Sequence, residues 1–198
     1  MILDLPRYPV AAEIQWDLSQ PSQVTEGEFA RATRVTILSD KTKWTAKVKY
    51  PTIRGEQNFL PWRAALARLR GRAGIFRLIA CERPQEILRS AGAFVVDGGG
   101  QRGTMIATRG WVPGTAMLGG YFVTIADRLY QVLSTAIADG TGRMTIEILP
   151  EIGEGVADGT VIEAIQPYAA MSMTEDRAGW TVGVAQAYDV AFDCAEAV

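Results

Sequence analysis

The chain has no histidine in its 198 residues. That removes the side chain most often used as a general base near neutral pH, the commonest metal ligand, and every Ser-His or Cys-His nucleophile pair. It has only two cysteines, Cys81 and Cys194. Two thiols without a histidine make no zinc site, and spacing alone does not pair them, so they read as free thiols of a protein made in a reducing cytosol. No run approaches the roughly 20 apolar residues that cross a bilayer. The opening MILDLPRYPV, broken by Pro6 and Pro9, does not read as a secretory leader. An excess of positive charge is also missing: 20 Lys and Arg stand against 22 Asp and Glu, a net charge of −2. General nucleic-acid binding wants a basic domain and finds none here, although a local basic patch is still compatible with these counts. There is no internal repeat and no low-complexity tract.

What is present is an ordinary globular composition, 48% hydrophobic, with a mean hydropathy of +0.06, enough to build a core of one large or two small domains. One amphipathic helix stands out over 56–70. Trp62, Ala65, Leu66 and Leu69 share a face at helical spacing. Pro61 suits a first helical turn, and Gly71 sits where a left-handed cap is wanted. A strand over 74–79 follows. The rest alternates or runs in short apolar stretches. Residues 1–30 read as an extended arm with a strand near Glu13 to Leu18. Residues 31–38 and 43–50 read as a hairpin around Ser39 to Thr42, with Trp44, Ala46, Val48 and Tyr50 on one side and Lys43, Lys47 and Lys49 on the other. Residues 82–103 mark a boundary that ends in the Gly-rich link 91–103. Beyond it, strands are expected at 104–109, 121–126, 128–133, 143–149, 160–165, 169–174, 179–184 and 186–194, separated by Gly and Asp turns. Regular short strands of this kind make a closed barrel or a sandwich.

The candidate chemistry is thin. GGGQRG at 98–103 has the glycines of a phosphate loop but neither the Lys-Ser/Thr pair nor a following helix. Asp139-Gly140-Thr141-Gly142 resembles part of a calcium loop but lacks its further acids, so a tight turn explains it better. The carboxylate pairs Glu151/Glu154, Asp127/Asp139 and Asp189/Asp193 have no surrounding motif. Asp189 and Asp193 fit the solvated side of one strand. A glycosidase pair would need a separation of roughly 5–10 Å in a sugar cleft. Trp44, Trp62, Trp111, Trp180, Tyr188 and Phe192 fit core packing, with a carbohydrate platform as the alternative. The lysine row fits protection of an edge strand, pairing with acidic residues of another subunit, or contact with nucleic acid, in that order.

Several phrases in fixed order carry a resemblance. They begin with PWRAALARLRGRAGIFRL (61–78). Gly100, Gly103 and the pair Gly110-Trp111 come next, then LGGYF (118–122), Tyr130-Gln131-Val132, DGTG (139–142) and TIEILP (145–150). Trp180 and YDVAFDCAEA (188–197) close the series. Over residues 31–198 this order resembles the distal tail proteins at the tail tip of long-tailed bacteriophages and related gene transfer agents. Gly120 departs from that pattern, which has an aspartate there.

The resemblance implies a mainly β fold with one α-helix. A ring-forming belt domain over 1–90 would be a β-barrel or sandwich carrying the helix. An outer antiparallel β-barrel or sandwich would occupy 104–198. It further implies a structural virion protein, not an enzyme, with no cofactor and no bound metal. Copies would form a hexameric ring joining the tail tube to the hub and the tape-measure protein, with DNA passing through the lumen at ejection. The subunit interface is expected at Lys43, Lys47, Lys49, Val35 and Ile37. The alternative is a carbohydrate- or host-receptor-binding β-sandwich of the tail tip; a histidine-free hydrolase is a more distant third.

Overall fold

The computed structural model describes residues 2–26, 33–37, 42–81, 83–88 and 90–197. The fold is mainly β with a single α-helix and a closed six-stranded antiparallel barrel. The chain does not divide at 90–103, as the linear reading expects. It forms two compact units that are interleaved in sequence. The first takes 1–18, 44–78 and 169–198; the second takes 19–43 and 79–168.

The first unit is built on a six-stranded sheet. Its strands are β1 (Ile2–Asp4), β2 (Glu13–Ser19), β5 (Lys43–Lys49), β7 (Ile75–Ile79), β16 (Tyr168–Met173) and β19 (Ala191–Glu196). Their order is β1-β7-β16-β19-β5-β2. β1 runs parallel to β7, while β19 is antiparallel to both β16 and β5. The alternation of β5 appears as expected: Trp44, Ala46 and Val48 are buried, and Lys43, Lys47 and Lys49 are exposed. Its expected hairpin partner is wrong, however. β5 pairs with β19 and β2, because its apolar face needs the matching alternation of the C-terminal strand to complete a core. The segment Glu13–Ser19, expected in an arm, is the terminal strand β2.

The helix α1 (Glu56–Leu69) buries Phe59, Trp62, Leu66 and Leu69. Pro61 lies inside it, not in its first turn. There its missing N–H removes the bond that residue 61 would donate to the carbonyl of Gln57. A chain of ring contacts joins the helix to the sheet. Trp62 lies 4.2 Å from Tyr50, Tyr50 lies 6.2 Å from Phe192, and Phe192 meets Phe76 edge-on at 5.6 Å. Arg70 (φ 50) and Gly71 (φ 64) both turn left-handed at the helix end. A side chain at Gly71 would collide with the backbone of Asp176, so this glycine lets the 175–177 segment cross the helix terminus. Arg72 pairs with Asp176 at 3.3 Å across the same contact. A smaller sheet in this unit has the order β17-β18-β6, from Thr181–Gly183, Ala187–Asp189 and Ile53–Arg54. The run 186–194 is therefore two strands in two sheets, broken at Val190, and Asp189 and Asp193 do not share a strand.

The second unit holds the barrel. It is made of β8 (Phe94–Val96), β9 (Gln101–Arg109), β11 (Phe122–Ile125), β12 (Arg128–Val132), β14 (Arg143–Val156) and β15 (Val161–Glu163). They close in the order β11-β12-β14-β9-β8-β15. Ile106, Val123, Ile125, Val132, Ile146, Ile148 and Ile162 fill the interior. Trp111 stacks on Phe94 with centroids 4.1 Å apart and planes within 9°, while its indole N–H donates to Thr108 Oγ1 at 2.8 Å. Two glutamines replace backbone pairing where the strands part. Gln85 accepts from Phe122 N and donates to the carbonyls of Phe122 and Ala164. Gln101 accepts from Ala107 N and donates to the carbonyls of Asp97, Gly98 and Ala107. Gly120 has φ 96; that conformation explains glycine where the resembling pattern has aspartate. A two-stranded sheet, β10 (Ala116–Met117) with β13 (Ala136–Ile137), lies beside the 113–115 and 138–142 turns in sequence.

Two further strands, β3 (Ser22–Glu26) and β4 (Thr33–Ile37), pair with each other and, among the described residues, with no other strand. The expected turn residues Ser39, Asp40 and Lys41 lie outside the described residues, as do residues 27–32.

Candidate functional site

The residues expected at an interface fall into two groups that do not meet in one sheet. Lys43, Lys47 and Lys49 project from the outer side of β5. This strand is internal, between β19 and β2, so the lysines do not guard an edge. Lys47 stands in register with Asp193 of β19, which supplies opposite charge within the same sheet. Val35 belongs to the β3–β4 ribbon instead. The side chain of Ile37 lies outside the described residues.

The ribbon exposes apolar side chains. Val24 and Val35 are direct cross-strand partners, 56% and 58% exposed. Opposite residues of an antiparallel pair share a face, so two β-branched side chains form one apolar spot. A two-stranded hairpin alone is marginally stable in water; it needs a third strand or a packed face. Among the described residues, neither β3 nor β4 has a third strand. Pro21, between β2 and β3, interrupts the run and sends it from one sheet to the other. This arrangement suits strand addition, in which a neighbouring chain supplies backbone hydrogen bonds and covers the valines. β1 and β2, at the two ends of the six-stranded order, are further pairing edges.

The ionic groups of the barrel serve its architecture. Arg109 bonds Asp158 at 2.6 Å and Asp97 at 2.8 Å, and Arg143 reaches Asp97 at 3.1 Å. Asp158 also accepts from Gly98 N at 2.8 Å. Hydrogen bonds from Arg109 and from that backbone N–H hold the Asp158 carboxyl down to about 2. The four side chains thus tie the glycine-rich 97–100 turn to the 157–159 turn. The phosphate-loop reading of GGGQRG fails on the same geometry: Gln101 opens strand β9, not a helix. Asp139 accepts from Thr141 N, Thr141 Oγ1 and Arg143 N, which lowers its pKa and makes DGTG a self-capped turn. Asp127 accepts from the Tyr168 hydroxyl at 2.7 Å. Among the described residues, no group of three Cys, Asp or Glu side chains is placed to hold a metal ion.

Of the six aromatics expected in the core, Trp44, Trp62, Trp111 and Tyr188 are buried. Trp180 is 39% exposed, and Phe192 is half-buried. Cys194 is buried, and its thiol donates to Ala46 O. Desolvation, with Asp193 nearby, pushes that thiol up to about 12, so it behaves as an apolar filler. Burial also raises Cys81. No described helix is long and apolar enough to cross a membrane. Sequence reasoning missed the bridging glutamines Gln85 and Gln101, because a glutamine that mends a gap between strands has no local pattern.

Comparison of the chain with protein-family models and with curated proteins finds no match.

Proposed function

We propose that the chain is a structural virion protein of a phage tail tip. Its copies form a hexameric ring that joins the tail tube to the hub and the tape-measure protein, and DNA passes through the lumen. The reading rests on the ordered likeness over residues 31–198 to distal tail proteins. The observation that carries it is the β3–β4 ribbon, which offers an apolar valine pair and unpaired strand edges with no third strand among the described residues. Each copy has the same donor ribbon and the same terminal strands. A head-to-tail contact of that kind closes into a ring when the rotation between copies fits. The work of such a protein is mechanical: the bonds it makes are backbone hydrogen bonds and buried valines between copies.

Electron microscopy of the purified full chain tests this reading. Rings with six-fold symmetry are expected, and addition of tail-tube protein should extend them on one side. A field of single 21.5 kDa particles with no ring in either mixture would refute it.

A further inference from the structure

An open groove of about 770 Å³ lies within the first unit, between the 175–181 segment and strands β2, β5 and β19. Its size falls in the roughly 300–1,000 Å³ range of small-molecule sites. On one side is Trp180. Phe59, fully buried and stacked on Tyr188 at 4.3 Å, supports its ring at 5.3 Å. The Arg63 guanidinium stands 5.9 Å from the same ring and is tied to Glu56 at 3.1 Å. Trp180 is therefore a fixed aromatic surface that keeps more than a third of its area exposed.

The opposite wall is polar and carries both signs of charge. Lys47 and Asp193 sit across from each other in register. Gln15 uses its amide N–H on Asp17 at 3.2 Å, which leaves its carbonyl oxygen as an acceptor. On the same side as Trp180, within the 175–181 segment, Arg177 is bonded to Glu175 at 3.0 Å. A polyanion entering here meets carboxylates, and a polycation meets ammonium and guanidinium groups. A neutral polyhydroxylated chain meets neither penalty. Each of its hydroxyls donates and accepts, so it can complement both signs at once, and its C–H faces suit an indole.

We propose that this groove binds a neutral oligosaccharide, with Trp180 as the stacking platform and Gln15, Lys47 and Asp193 as hydrogen-bonding partners. The inference does not depend on ring assembly. It gives the first unit a recognition role in addition to any contact it makes with copies of itself.

Isothermal titration of the full chain against maltohexaose, cellohexaose, chitohexaose and mannohexaose tests it, with heparin and poly-L-lysine as charged comparators. Saturable binding of at least one hexasaccharide is expected, weakened tenfold or more by Trp180→Ala. Asp193→Ala, on an exposed strand face, should weaken it several-fold, with circular dichroism unchanged from the parent. Three results would overturn the proposal: no hexasaccharide bound, binding unchanged in both variants, or tighter binding of either charged polymer. Light scattering on the same samples reports assembly separately, so loss of sugar binding and loss of the ring are distinguishable.

Discussion

The two units solve the same problem in opposite ways. The barrel closes its sheet, β15 against β11, so all six strands have partners on both sides. Its strands come from one continuous stretch, 94–163. The first unit leaves its six-stranded sheet open, with β1 and β2 as terminal strands, and gathers it from three separated pieces of chain. Closure removes edges and makes a self-sufficient core; an open sheet keeps edges that a neighbour can use. The difference gives the barrel a core without edges and leaves the six-stranded sheet with two terminal strands.

The largest effect that sharpens this contrast is truncation. Strand β19 is internal to its sheet, between β16 and β5. Ending the chain at residue 186 splits that sheet and should abolish cooperative folding of the first unit, while the barrel keeps its amide protection. Hydrogen exchange read segment by segment checks this. Equal loss of protection in both units would break the comparison.

Next is Trp111→Ala. It empties the stack on Phe94 and removes the indole bond to Thr108 Oγ1, which keeps its own bond to Met144 O, so a loss of about 3–5 kcal/mol is expected in urea unfolding. The loss should fall on the barrel and leave the amides of β5 and β19 protected. Gly71→Ala is the smaller counterpart in the first unit. It forces a side chain against Asp176 at a left-handed φ and should cost about 1–3 kcal/mol. Its exchange signature should be confined to 70–74 and 175–181.

The pH effect is smaller still. Asp158 titrates near 2 in the folded protein, below the usual carboxylate value of about 4. A depressed pKa contributes stability that is fully present above the unfolded value and is lost as the pH falls through the folded one. The barrel should therefore weaken between pH 4 and 2. Asp158→Asn should lower its melting temperature at pH 7 and flatten that acid limb, although Asp139, also depressed, leaves part of the slope. An unchanged slope would show that the Asp158 carboxylate does not contribute to the acid stability of the barrel.

Much of this fold is legible in the sequence because its signals are local. The alternation of Lys43 to Lys49, the spacing of Trp62, Leu66 and Leu69, and the Asp139 turn each depend on neighbours along the chain. The failures are non-local. Nothing near Lys49 says that its strand pairs with residues 191–195, and nothing near Val190 says that a run of apolar alternation breaks between two sheets. The interleaving of units follows from those pairings, so a linear division at 90–103 could not find it. Val35 lies exposed on the two-stranded ribbon, and no motif marks its cross-strand partner Val24. The alternation of Lys43, Lys47 and Lys49 fits an edge strand equally well, and only the long-range pairing makes β5 internal. Trp180 was read with the core aromatics because periodicity does not tell a buried indole from one supported on a single side.

The central claim is that the ribbon joins copies of this chain, and multi-angle light scattering of the 198-residue chain over a concentration series tests it most directly. A plateau at six times 21.5 kDa is predicted, falling to a single copy when Val24→Lys and Val35→Glu are combined, an opposite-charge pair that keeps the ribbon paired, with the unfolding free energy within about 0.5 kcal/mol of the parent. A mass of one copy at every concentration, or a hexamer untouched by the two substitutions, would contradict it.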